Sequence, residues 1–136
     1  EMCIRDRYNS DPYLQKVNAS NLKKGSVAIG ISYSGYSSIT VENLKTAKKA
    51  GATTVALTNF NKAPISKFAD ITIYSSNRQY FYGDAIFSRT AQLAIIDMIY
   101  IGLITSDYNK YTKKLDKNKE LIQNLDLMVA KQSEKM

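Results

Sequence analysis

The chain has 136 residues, a formal net charge of +7, 44% hydrophobic residues and 23% charged residues. That is one domain's length with an ordinary globular composition, so wholesale disorder is excluded and a real core can form. The sequence has no histidine and a single cysteine, Cys3, which excludes Ser-His-Asp and Cys-His nucleophilic sites, His-ligated metals and an intrachain disulfide.

Residues 1–10 are read as a leader, non-native or disordered. The run Glu1-Met2-Cys3-Ile4-Arg5-Asp6-Arg7 has neither helical nor strand periodicity and reads as a cloning or sequencing scar, with an unusual genuine strand as the alternative, on a chain that looks N-terminally truncated. Asp11 to Lys24 has partial helical spacing and ends at Gly25. Val27 to Ile31 is a continuous apolar run, the pattern of a strand buried on both faces of a parallel sheet. Seven loop residues, Ser32 to Ser38, follow.

A helix is predicted from about Ser38 to Ala50, with Val41, Leu44 and Ala47 on one face. Glu42 is placed to offset the helix dipole at one end, Lys48 and Lys49 at the other, and Gly51 stops the helix. Thr53 to Leu57 is a second strand, completing a strand–helix–strand unit of the length a right-handed crossover requires. Thr58 to Asp70 is a loop with a short helix opened by Pro64, and Ile71 to Tyr74 is a third strand.

A long helix is predicted over about Asp84 to Ile104, broken at Thr105 to Asn109, and a tail helix over Tyr111 to about Lys131. The apolar run Leu93 to Ile104 contains Asp97 and falls short of the roughly 20 apolar residues a bilayer needs. It reads as a helix buried on most of its faces. Strands alternating with helices predict a layered α/β fold.

The net charge is spread along the chain, +4 over residues 1–60 and +3 over residues 61–136. No basic stripe interleaved with aromatics stands out, so a solvated basic surface is favoured over a nucleic-acid patch. No membrane segment is expected, and the lone cysteine fits a reducing cytoplasm.

The chemistry concentrates in the loop after the first strand. Ligands of open α/β sheets bind at the carboxyl edge of the strands, and a helix N-terminus offers free N–H groups and partial positive charge to a phosphate. Ser32, Ser34, Ser37 and Ser38 add hydroxyl donors, and Gly35 lets the backbone turn and approach an anion. Ordinary helix capping by one of these serines is the competing explanation. The loop is neither a Walker loop nor a dinucleotide fingerprint.

Gly30-Ile31-Ser32-Tyr33-Ser34-Gly35-Tyr36-Ser37 resembles the signature of SIS (sugar isomerase) domains. Ala47-Lys48-Lys49-Ala50-Gly51-Ala52 and Val55-Ala56-Leu57-Thr58-Asn59 also match that pattern. Ser88-Arg89-Thr90-Ala91-Gln92-Leu93 with Ile96-Asp97 is similar to the SIS domain of RpiR-type (MurR/RpiR) transcriptional regulators. The resemblance covers about Asp11 to Tyr108, which makes residues 11–108 a partial SIS domain and residues 109–136 a C-terminal helix.

The resemblance implies a three-layer αβα sandwich with a flavodoxin-like parallel sheet. It implies a sugar-phosphate effector held by Ser32, Ser34, Gly35, Tyr36, Ser37 and Ser38, and a homo-oligomer. No cofactor, no metal and no catalytic residue is expected. DNA would be contacted only through a helix-turn-helix module, which nothing in this chain resembles, and the first SIS strand with its loop is also missing.

Tyr82 and Ser88 are weaker site candidates. Tyr80-Phe81-Tyr82 suits core or lid packing, or the sugar site, and Ser88 suits a bond within its helix or a ligand contact. Arg89 suits a structural ion pair, and Asp97, if buried, needs a hydrogen-bond partner. The lysines from Lys110 to Lys119 read as a solvated helix face.

The expected function is therefore a phosphosugar-binding effector domain of a transcriptional regulator of carbohydrate metabolism. A phosphosugar isomerase or lyase is the alternative, and it needs a positioned base. Of Glu1, Glu42, Glu120 and Glu134, only Glu42 lies near the serine loop. A binding or assembly module without effector control is the third reading.

Overall fold

In a computed structural model of the chain, residues 9–75, 84–113 and 115–119 are described, without the side chains of residues 84–88. The expected leader (residues 1–8 of it), Tyr80-Phe81-Tyr82 and the tail beyond residue 119 lie outside the described residues.

Helix α1 spans Pro12–Ser20. Proline is suited to its first turn because its missing N–H needs no partner there. Asp11 caps the helix, its carboxylate accepting from the N–H groups of Tyr13 at 2.8 Å and Leu14 at 3.0 Å. The helix stops four residues before the expected Lys24. Its C-terminal end is Asn18-Ala19-Ser20-Asn21, and the Ser20 hydroxyl turns back to the Val17 carbonyl at 2.8 Å, the local competition that makes short polar residues poor helix continuers.

Strands β1 (Val27–Ile31), β2 (Thr53–Thr58) and β3 (Ile71–Tyr74) form a parallel sheet in the order β1-β2-β3. Val27 pairs with Thr53 and Ile31 with Leu57, and Val55 pairs with Ile71 and Thr58 with Tyr74. Helix α2 (Ser38–Lys49) carries the crossover from β1 to β2. It ends at Ala50 and Gly51, whose φ of +89° is the left-handed geometry glycine tolerates.

Because side chains alternate along a strand, each face of the sheet can be assigned from the register. Ala28, Gly30 and Ala56 face α2. Leu44, Ala56, Ala63 and Ile65 form the main buried cluster, with Ala28, Val41 and Ala69 against it. A Cβ at Gly30 would lie only 3.3 Å from Thr40 and 3.4 Å from Leu44 and Ile65, so the missing side chain is what lets α2 approach the strand. A second cluster, Ala19, Ala47 and Ala52, packs α1 onto α2. Asn43 also donates to the Gln15 side chain at 3.1 Å across that contact.

The other face departs from expectation. Val27 and Ile29 are 59% and 55% exposed, and Ile31 is exposed too. The apolar run predicts burial on both faces; β1 is buried on one only. It is an edge strand, and no described helix covers its outer row.

A 3₁₀ turn over Pro64–Phe68 supplies the predicted short helix. Asp70, just before β3, ties two strands together at their amino ends. Its carboxylate accepts from the Thr54 N–H at 2.8 Å and lies 3.0 Å from the Lys48 ammonium.

The chain divides into two compact units, residues 1–93 and 94–136. Helix α3, Asp84–Ser106, runs through that boundary. The expected break after it narrows to Asp107, and residues 108–113 and 115–119 are helical again. Expected burial of the apolar run in α3 does not hold: Leu93 and Met98 are 62% and 63% exposed, and Tyr100, Ile101 and Leu103 are exposed. A helix apolar on every side is buried only where other elements enclose it. Asp97 is exposed as well, so solvent meets its need for a partner. Among the described residues no helix is long and apolar enough to cross a membrane.

Candidate functional site

Six residues connect β1 to α2, at the carboxyl edge of the sheet. Strand β2 holds this loop from the side. Ser32 N–H donates to the Leu57 carbonyl at 3.0 Å, and the Tyr33 carbonyl accepts from both the Asn59 N–H and the Thr58 hydroxyl, each at 3.0 Å. Tyr33 also meets Phe60 edge to face, with ring centroids 5.7 Å apart. The loop is thus an extension of the sheet and has a fixed path.

Gly35 turns the chain at φ +69°. Its N–H donates to the carbonyl and the hydroxyl oxygen of Ser32, each at 3.1 Å, and its carbonyl accepts from the Ile65 N–H at 3.2 Å. A Cβ here would stand 2.4 Å from the Ala63 methyl and 2.9 Å from the Thr58 hydroxyl. No side chain fits that space, so glycine is required for the turn and for the close approach alike.

The serines separate by role. Ser32 is buried at 7% exposure, Ser34 is half-buried, and Ser37 and Ser38 are exposed. The Ser34 oxygen accepts from the Tyr36 N–H at 3.2 Å. A hydroxyl that accepts a loop N–H keeps its own hydrogen to donate, so Ser32 and Ser34 each retain a donor whose oxygen is fixed by the loop. Ser37 stands at the N-cap of α2, yet its side chain makes no capping bond; its oxygen instead accepts from the Thr40 hydroxyl at 3.0 Å. No Ser37 side-chain bond therefore covers the first-turn N–H groups of α2. Capping was the competing explanation for this serine, and the geometry does not show it.

Ser32, Ser34, Gly35, Tyr36 and Ser37 thus share one loop, and Ser38 is the first residue of the helix that the loop opens. Such an arrangement stabilises an anion through hydroxyl donors, backbone N–H groups and the helix dipole acting together. The structure adds the loop after β2, residues 59–63, which lies alongside. Its place at the end of the neighbouring parallel strand was the available signal for it. Ser88 lies on α3 with its side chain outside the described residues, and Tyr82 lies wholly outside them.

Glu42 is not the dipole-compensating residue its position suggested, since the first turn of α2 holds no acidic side chain. It is exposed and pairs with Lys45 at 3.0 Å; that bond and the lysine's charge hold its carboxyl below the ordinary range. Among the described residues no three His, Cys, Asp or Glu side chains gather to hold a metal ion.

The SIS domain family matches the chain over residues 10–102. An HTH-type transcriptional regulator of Caldanaerobacter subterraneus subsp. tengcongensis is 44% identical over 113 residues, which cover 82% of this chain and 40% of that protein. The HTH-type transcriptional regulator YbbH of Bacillus subtilis is 34% identical over 118 residues, 85% of this chain and 42% of that one. The chain therefore spans about two-fifths of the length of these relatives. Among solved structures, the Vibrio vulnificus NanR protein complexed with ManNAc-6P superposes with a TM-score of 0.75 at 24% identity, covering 86% of this chain and 44% of that one. That likeness establishes a shared fold. With its parallel sheet, its crossover helix and its serine loop at the strand–helix junction, the chain belongs to the SIS domain family.

Proposed function

We propose that this chain is a phosphosugar-binding effector region of a transcriptional regulator of carbohydrate metabolism. The observation that carries the reading is the serine loop, whose Ser32 and Ser34 oxygens are held by loop N–H groups ahead of a helix N-terminus that Ser37 does not cap. Two kinds of likeness support it. The relatives are HTH-type transcriptional regulators, and a protein of the same fold is known in complex with ManNAc-6P. DNA contact belongs to a helix-turn-helix module of the longer protein, and the working compartment is the cytoplasm.

On this reading the sugar phosphate sets its phosphate against the loop, and Ser32, Ser34 and Ser37 donate to its oxygens. Binding changes DNA affinity only if the ligand favours one arrangement of the assembled regulator over another. The assembly is a homo-oligomer, a reading supported by the exposed apolar residues of β1 and α3. The isomerase reading is weaker. The one glutamate that the sequence sets near the loop, Glu42, is exposed and pairs with Lys45.

Ser34→Ala tests the assignment. Calorimetric titration with N-acetylmannosamine 6-phosphate is expected to show a loss of about 1.5–3 kcal/mol, the worth of one hydrogen bond to a charged group. Unchanged affinity would remove the serine loop from the site.

A further inference from the structure

Lys62 stands out on three counts. It is the one non-glycine residue among those described with a positive φ, +62°. L-residues adopt that conformation rarely, and such outliers gather at functional sites. It is also the only formal charge in the two loops that end β1 and β2, residues 32–37 and 59–63. Among the described residues, its ammonium pairs with no carboxylate.

Its loop is locked to the serine loop. The Ala63 methyl presses on Gly35, the Ile65 N–H donates to the Gly35 carbonyl, and the Thr58 hydroxyl donates to the Tyr33 carbonyl. An exposed lysine with no carboxylate partner among the described residues, in an unfavourable backbone state one residue from that contact, puts a formal positive charge on the loop that is locked to the serine loop. Hydroxyls and N–H groups orient a phosphate but bring no net charge to a dianion, whereas an ammonium does.

We propose that Lys62 is a further anion-binding residue of this site, supplying the positive charge that selects a phosphorylated ligand over its neutral sugar. The proposal rests on the serine-loop reading above.

The test is an NMR titration of the ¹⁵N-labelled chain, reading the Gly35 and Tyr36 amides. The probes are inorganic phosphate, N-acetylmannosamine 6-phosphate and unphosphorylated N-acetylmannosamine. Lys62→Met is expected to raise the Kd of both phosphates about tenfold, as losing one charged hydrogen bond would, and to flatten the dependence on salt. Lys62→Arg is expected to restore most of the affinity. Lys62→Gly is expected to weaken binding yet raise Tm, because glycine takes this φ without strain. A purely structural role would instead move Tm and affinity together, and that pattern overturns the proposal. Wild-type Kd and salt dependence in Lys62→Met, with binding lost in Ser34→Ala, would remove Lys62 and leave the serine loop standing. A wild-type chain that responds to neither phosphate would overturn both.

Discussion

Gly35 sits where the Ala63 methyl, the Thr58 hydroxyl and Ile65 converge on the space a Cβ would need. Gly35→Ala therefore combines a left-handed backbone penalty with steric overlap, and is expected to cost about 2–4 kcal/mol of stability. Urea denaturation checks this, and a cost below about 1 kcal/mol would mean the loop relaxes freely. The importance of Gly35 was legible in the sequence, because a glycine between serines at a strand–helix junction implies a tight turn. The residues that crowd it were not legible. Thr58, Ala63 and Ile65 are 23 or more positions away, and only the parallel pairing of β1 with β2 brings them there. The same holds for Ser37: its place at the head of the helix could be read, but its hydroxyl's choice of Thr40 over capping depends on the loop's path.

At the level of elements, Asp70 reinforces the parallel pairing of β2 with β3. Its carboxyl is pushed down to about 2 from an ordinary 3.8, first by the bond from the Thr54 backbone N–H, then by Lys48 and by the Thr54 hydroxyl. A depressed carboxyl contributes its stability in full above the ordinary value and loses it as pH falls through the folded-state value. Denaturation midpoints are accordingly expected to fall as pH drops from about 4 toward 2. Asp70→Asn should lower the midpoint at neutral pH and remove that part of the acid dependence. An unaltered acid limb in Asp70→Asn would assign the effect to other carboxylates. Lys48 was readable only as a cation at the end of α2. Its use as the partner of a carboxylate 22 residues later requires the crossover that lays α2 over the sheet.

On the scale of the whole molecule, apolar surface remains open in both units: Val27, Ile29 and Ile31 on the sheet, and Met98, Tyr100, Ile101 and Leu103 on α3. On the homo-oligomer reading, this surface is where copies of the protein meet. Sedimentation of the chain is therefore expected to show association beyond the monomer. The double variant Met98→Lys, Ile101→Lys is expected to shift it toward monomer while helical circular dichroism is retained. A wild-type chain that sediments as a monomer at high micromolar concentration would count against the homo-oligomer reading.

The sequence alone determined what local physics controls. All three strands start where they were predicted, and α2 and α3 fall within a residue or two of the ranges read from apolar periodicity, because strand and helix periods act over a few residues. The Ser-Gly turn and its bearing on an anion were visible for the same reason. Which faces are covered was decided only in three dimensions. The Val27–Ile31 run has the pattern of a doubly buried strand and α3 that of an enclosed helix, yet both leave apolar side chains exposed. Burial depends on which neighbours pack against a segment, and that information lies outside the segment itself. Lys62 makes the same point for the site, since nothing in its local sequence marks it. What marks it is a left-handed backbone conformation and the contact of its neighbour Ala63 with Gly35, which brings the loop after β2 against the loop after β1 once those strands pair.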